Sequence, residues 1–202
     1  MFIAHRGSVS YNIKENSLAA FQNAINNPKY GGFELDVRET IDHEFVITHD
    51  FLFNGNLVCK TKLSDLEAKG LTSLDSVLEL NTDKIIMIEI KDFNLNVSKL
   101  ANALNKTHKN IYVMSFNANV IRKIKPYAKY FKCGIINYIF NRQNSYDDFN
   151  FIALLNDTLT YNIKEYFHKK NIEVFSYGIN DKIIYDNTIN YIIDNYKDYV
   201  IE

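Results

Sequence analysis

The chain has 202 residues, 47% hydrophobic, 14% aromatic and 23% charged, a mix that excludes a disordered, collagen-like or coiled-coil chain. Lys+Arg 23 against Asp+Glu 24 leaves a formal charge of -1, so a broad electrostatic pull on nucleic acid or an anionic membrane is not expected. No run of roughly eighteen apolar residues occurs, so neither a transmembrane helix nor stable membrane insertion is expected.

The opening Met1-Phe2-Ile3-Ala4-His5 runs straight into a strand pattern over Phe2–His5 rather than into a signal peptide. A helical pattern follows over Leu18–Asn26, then a strand at Phe33–Val37 whose hairpin arm is Glu44–Thr48, across a turn at Thr40–His43. Asn54–Lys62 reads as an irregular loop, Ser64–Lys69 and Leu74–Leu80 as helices, and Ile85–Ile90 as a strand. Helix Val97–Lys106, strand Ile111–Ser115, helix Asn119–Lys129 and strand Lys132–Ile136 continue the alternation. Asn141–Asp148, poorly periodic, is assigned to helix. Strand Phe151–Leu155, helix Tyr161–Lys170, strand Ile172–Tyr177, helix Ile189–Asn195 and strand Tyr199–Ile201 complete the series. Eight strands in β-then-α order argue for a parallel sheet closed into a compact (β/α)8 barrel, one domain over residues 1–202 near the lower size limit of that fold. Cys59 falls in a loop and Cys133 in an apolar run; two cysteines without metal-like spacing suit the cytoplasm.

In such a barrel the chemistry gathers where strands end. His5-Arg6-Gly7 ends the first strand, Glu34-Leu35-Asp36 lies on the second, His49-Asp50 ends its hairpin arm, and Glu89-Ile90-Lys91 ends the third. Glu34 and Asp36 are two apart, so both side chains share one face, here the barrel interior. Two carboxylates about 4 Å apart repel by roughly 4 kcal/mol at an effective dielectric near 20, so a cation must stand beside them. With Glu89 they form either an all-oxygen site for Mg²⁺ or Ca²⁺ or an internal salt-bridge network with Lys91 and Arg6. His5 and His49 at the rim suit an acid–base pair, and the Arg6 guanidinium and Lys91 ammonium suit phosphate oxygens. Together these groups describe a phosphodiester-cleaving site.

Residue by residue the chain resembles the glycerophosphodiester phosphodiesterases. The match runs through His5-Arg6-Gly7, Glu15-Asn16-Ser17 with Ala20-Phe21, Glu34-Leu35-Asp36-Val37 with Thr40 and Asp42, Val46 with His49-Asp50, Leu74–Leu78, Glu89-Ile90-Lys91 and Ser115-Phe116. Tyr177, in Ile172–Asn180, stands where the family usually carries a tryptophan. The resemblance implies a TIM barrel with one divalent cation, Mg²⁺ or Ca²⁺, on Glu34, Asp36 and Glu89, and with His5 and His49 as acid and base. It also implies phosphate contacts from Arg6 and Lys91, and hydrolysis of a small glycerophosphodiester to glycerol 3-phosphate and an alcohol through a cyclic phosphate. Tyr177 can still stack on a substrate, which bears on head-group preference. The stretch Asp50–Thr72 is shorter than the family's inserted subdomain, Lys14 replaces a proline, and the end at Glu202 leaves the last helix missing or vestigial. Phe51, Leu52 and Phe53 form either a lip facing lipid or head group, or loop packing. Glu15 and Asn16 either brace His5 or order their loop, and Ser17 is read as a helix cap. The alternatives are a sphingomyelinase D- or lysophospholipase D-type enzyme acting on lipids, and a catalytically silent barrel binding phosphodiesters or a partner.

Overall fold

A strand covered on both faces needs apolar residues at successive positions. Ile85–Ile88 and Ile111–Met114 meet that requirement, and every residue of both strands, Glu89 and Ser115 included, is buried. The computed structural model describes residues 1–179, 183 and 185–196. Its elements begin with β1 (Phe2–Ala4), α1 (Leu18–Asn26), β2 (Tyr30–Glu39) and β3 (Phe45–Ile47). A small hairpin, β4 (Leu52–Phe53) and β5 (Asn56–Leu57), leads to α2 (Leu63–Glu67), β6 (Thr72–Ser73) and α3 (Leu74–Leu78). Then come β7 (Ile85–Ile90), α4 (Val97–Asn105), β8 (Ile111–Ser115), α5 (Ala118–Ile124) and β9 (Phe131–Asn137). The described elements end with β10 (Phe151–Leu155), α6 (Tyr161–Lys169), β11 (Glu173–Tyr177) and β12 (Asn190–Ile193).

Strands β1, β2, β7, β8, β9, β10, β11 and β12 pair in parallel in that order, and β12 pairs back onto β1. The sheet is therefore closed: a (β/α)8 barrel. Outward residues such as Phe33, Leu35, Ile86, Ile88 and Val113 join Phe21, Leu74, Leu100 and Ile121 of the helices in one apolar layer. Inward residues Ile3, Met87, Met114, Ile136, Phe151, Phe175 and Ile192 fill the barrel itself. Gly134 is required there, because a Cβ at that position would lie 2.4 Å from the Phe151 ring.

The hairpin arm is β3, antiparallel to β2 with Val37 opposite Ile47, and β6 extends it. Ser17 caps α1 by accepting a hydrogen bond from Ala20 N at 3.3 Å. Helix α5 stops at Ile124 and becomes a 3-10 turn over Lys125–Tyr127, earlier than its periodicity suggests, because Pro126 has no amide to continue the ladder.

Two expectations are corrected. Ile189–Asn195 is not a helix; it contains β12, with Tyr191 and Ile193 in the outer layer and Ile192 in the barrel. The short apolar run Tyr191–Ile193 fits either period, and pairing with β1 and β11 decides for strand. Asn141–Asp148 is a series of turns, in which Tyr146 is buried against Phe140 and Phe167 and its hydroxyl accepts from Asn141 N. The strand expected at Tyr199–Ile201 lies outside the described residues.

Candidate active site

The segment after β1 turns on two successive left-handed residues, Arg6 (φ 53°) and Gly7 (φ 87°). Arg6 N donates to Glu34 Oε2 at 3.0 Å, and Arg6 O accepts from Asn16 N at 2.9 Å. A Cβ on Gly7 would lie 2.7 Å from Ala20 Cβ on α1. Gly7→Ala is thus expected to cost roughly 2–3 kcal/mol through strain and overpacking, and to displace Arg6. Urea unfolding measures the first effect and KM for the substrate the second.

On β2, Glu34 and Asp36 point inward, and Asp36 pairs in register with Glu89 of β7. Each of the three offers an oxygen within 4.8 Å of the others, in the one acidic group among the described residues that could hold a metal ion. Glu34 and Asp36 are each 1% exposed. The loop residue Asn16 braces Asp36 rather than His5, its Nδ2 donating to Asp36 Oδ2 at 2.9 Å. Glu15 accepts from Arg6 NH1 at 2.8 Å. Lys91 Nζ donates to Glu89 Oε1 at 2.7 Å and lies 3.3 Å from Asp36 Oδ1, without hydrogen-bond geometry to the latter. Arg6 Nε likewise sits 3.1 Å from Asp36 Oδ2 as an ion pair whose N–H is unsatisfied.

The internal network therefore does not exhaust the carboxylates. Glu34 Oε1 and Asp36 Oδ1 are buried and have no hydrogen-bond donor. Glu34 Oε1 carries the full cost of desolvation unless a cation meets it, and Asp36 Oδ1 is offset only by the Lys91 ammonium 3.3 Å away. Burial, and then the charge of Asp36, push the Glu34 carboxyl up to about 8. Burial also raises Glu89, against the opposing charge of Lys91. A set of convergent carboxylate oxygens suits a hard divalent cation, so these residues fit the ion that the sequence suggests.

Thr48 N donates to Asp36 O at 3.0 Å, and this return of the chain sets His49 beside the cluster. Arg38, next inward on β2 after Asp36, donates from Nε and NH2 to His49 O at 3.0 and 2.8 Å and pairs with Asp92. His49 Nδ1 lies 2.8 Å from Asp50 Oδ1. His5 Nδ1 lies 2.6 Å from Asp194 Oδ1, and its Nε2 3.8 Å from Glu34 Oε2. Burial opposes charge on His5, but the Asp194 hydrogen bond and the Glu34 carboxylate outweigh it and the pKa is raised.

A cavity of about 240 Å³ joins these groups. His5, Arg6, Glu34, His49, Glu89 and Lys91 form its charged side, and Met114, Phe116, Ile136, Ala153, Tyr177 and Ile192 its apolar side. All eight residues expected at the site are thus brought together, with Asp36 bonded within the cluster beside the cavity. Tyr177 presents its ring, its hydroxyl being tied to Asn137 O at 3.3 Å. A larger hollow of about 630 Å³ beside Glu39, His43 and Cys59 shares no residue with the cluster. There Glu39 is bonded to His43 and Asn96, and Asp92 to Arg38 and Glu39 N, so that hollow offers no comparable set of free donors.

Three supporting residues have roles that the sequence alone does not assign. Asn16 braces Asp36 rather than His5, Arg38 was readable as the next inward position after Glu34 and Asp36, and Asp194 was hidden by the helix expected over Ile189–Asn195. The apolar stretch after Asp50 divides: Phe51 is 65% exposed, whereas Phe53 packs against Val46, Val58 and Leu66.

Comparison with known proteins bears directly on this geometry. Residues 5–130 match the glycerophosphoryl diester phosphodiesterase family. No curated protein sequence matches the chain. Among solved structures, a glycerophosphodiester phosphodiesterase from Thermotoga maritima is 26% identical, covering 95% of this chain and 92% of its own, with a TM-score of 0.70. An Oleispira antarctica phosphodiesterase in complex with the product sn-glycerol-3-phosphate is 20% identical over 90% of this chain and 85% of its own, at a TM-score of 0.73. A glycerophosphodiester phosphodiesterase from Agrobacterium tumefaciens is 19% identical over 96% and 94%, at 0.74. Since the matched stretch carries His5, Arg6, Glu34, Asp36, His49, Glu89 and Lys91 on a closed barrel, this chain belongs to the glycerophosphoryl diester phosphodiesterase family and is an enzyme of glycerophosphodiester hydrolysis.

Proposed function

We propose that the chain is a divalent-metal-dependent hydrolase that cleaves small glycerophosphodiesters to glycerol 3-phosphate and an alcohol, working as a single domain in the cytoplasm. The observation that carries the reading is the pair of buried, donor-less oxygens, Glu34 Oε1 and Asp36 Oδ1, in a carboxylate triad with Glu89. Glu34, Asp36 and Glu89 would hold the ion, Mg²⁺ or Ca²⁺, which supplies charge neutralisation at the phosphoryl oxygens. Arg6 and Lys91, on the same side of the cavity, bind and orient the phosphate.

Both imidazoles are tethered through Nδ1 to a carboxylate, leaving Nε2 for proton transfer. One accepts the proton of the attacking glycerol hydroxyl while the other delivers a proton to the departing alcohol, and the roles reverse when water opens the cyclic phosphate. His49 also borders a second hollow of about 440 Å³ lined by Lys14, Asp50, Phe53 and Lys69, so the two arms of a diester have separate spaces that meet at this residue.

One observation favours a lipid-directed variant of the same chemistry. Phe116 stacks on Tyr138 at 4.9 Å and meets Tyr177 edge-on at 6.3 Å, which continues the cavity's apolar side into an exposed shelf. Parallel assays on glycerophosphocholine and lysophosphatidylcholine test the choice. The primary reading expects a higher kcat/KM on the soluble diester; a preference for the acylated substrate would favour the variant, and hydrolysis of neither would remove both. Tyr177→Ala is expected to raise KM several-fold with a smaller effect on kcat, since the ring binds rather than reacts.

A further inference from the structure

The closing seam of the barrel carries one more element of the site. Strands β1 and β12 pair with Ala4 opposite Ile193, and His5 N donates to Ile193 O at 2.9 Å. One residue further along each strand, the same register sets the Asp194 carboxylate beside the His5 imidazole, Nδ1 to Oδ1 at 2.6 Å. Glu34 flanks the ring from the opposite side, 3.8 Å from Nε2.

We propose that Asp194 is the positioning residue of His5, fixing the Nδ1-protonated tautomer and the ring plane so that Nε2 faces the cavity. This rests on the phosphodiesterase reading above. An imidazole that exchanges protons through one nitrogen needs the other committed, and a carboxylate on Nδ1 is the strongest such commitment short of a metal. His49 meets the same need locally, from its chain neighbour Asp50. His5 meets it across 189 residues of sequence, which makes its orientation a consequence of barrel closure. Both partners sit directly at strand ends, where position is tightly held. The Asp194 side chain is 65% exposed, so as a mere surface ion pair it would add little to stability. Its removal should therefore separate function from folding.

The test compares wild type with Asp194→Ala and Asp194→Glu, by glycerophosphocholine kinetics and by ¹⁵N–¹H spectra of the histidine rings, with His5 assigned through a His5→Gln variant. Asp194→Ala is expected to lower kcat about 10–100-fold with KM changed less than about threefold, and to shift His5 away from the Nδ1-protonated form. Asp194→Glu, which keeps a carboxylate, is expected to restore part of both. A kcat within twofold of wild type in Asp194→Ala, or an unchanged His5 tautomer, would overturn the proposal. Should Asp194→Ala fail to fold, the near-isosteric Asp194→Asn is read by the same criteria. A wild-type chain inert on glycerophosphodiesters would count against the activity instead, while the ring spectra would still decide the tautomer.

Discussion

His49→Ala is expected to lower kcat by about 10²–10⁴ while leaving the fold intact, the usual worth of a positioned acid or base. His49 lies on the loop after β3, its side chain is 41% exposed, and its backbone is held by Arg38 rather than by its own ring. Removing the imidazole should therefore leave Glu34, Asp36 and Glu89 where they are. The expected signature is a fall in kcat with a thermal midpoint within a few degrees of wild type. His5→Ala should match it in size. Because the two imidazoles act in the same proton-transfer sequence, the double variant is expected to lose less than the product of the single losses. A double variant as active as wild type would remove two-histidine catalysis.

Chelation is expected to abolish turnover, and added Mg²⁺ or Ca²⁺ to restore it, with an affinity that depends on pH. Without a cation, burial and then the charge of Asp36 hold the Glu34 carboxyl at about 8, against an ordinary value near 4.5. Between these values the folded chain carries a proton that the unfolded chain does not. Stability of the metal-free protein should accordingly fall as pH rises from about 5 to 8. The raised pKa values of Glu89 and His5 act in the same direction. An ion must displace the Glu34 proton, so affinity should rise over the same window and level off above pH 8. Melting curves at pH 6 and pH 8, with and without millimolar metal, are expected to show the larger upward shift at pH 8. A shift independent of pH would count against Glu34 as a ligand.

Much of the site was legible because strand geometry is simple. Residues two apart share a face, so Glu34 and Asp36 had to converge once Phe33–Val37 was recognised as a strand, and barrel closure made that face the interior. The same alternation, carried one step further, reaches Arg38, because β2 runs past Val37 to Glu39. Asn16 was harder to place, since its role depends on a left-handed backbone (φ 54°) that turns the loop back onto Asp36. Asp194 was out of reach for a different reason. The apolar run before it satisfies helix and strand equally, and its partner stands at the other end of the chain, so only pairing of β1 with β12 creates the contact. In Asn141–Asp148, aromatic packing of Tyr146 against Phe140 and Phe167 takes the place of helical periodicity, which leaves no regular pattern to read.

Calorimetric titration of metal-stripped protein with Mg²⁺ and with Ca²⁺ at pH 8, in wild type and in the Glu34→Gln, Asp36→Asn double variant, bears most directly on the whole account. The expected result is one ion bound per wild-type chain, with proton release, and none by the folded double variant. No binding by wild type at millimolar concentration, or undiminished binding after both substitutions, would contradict it.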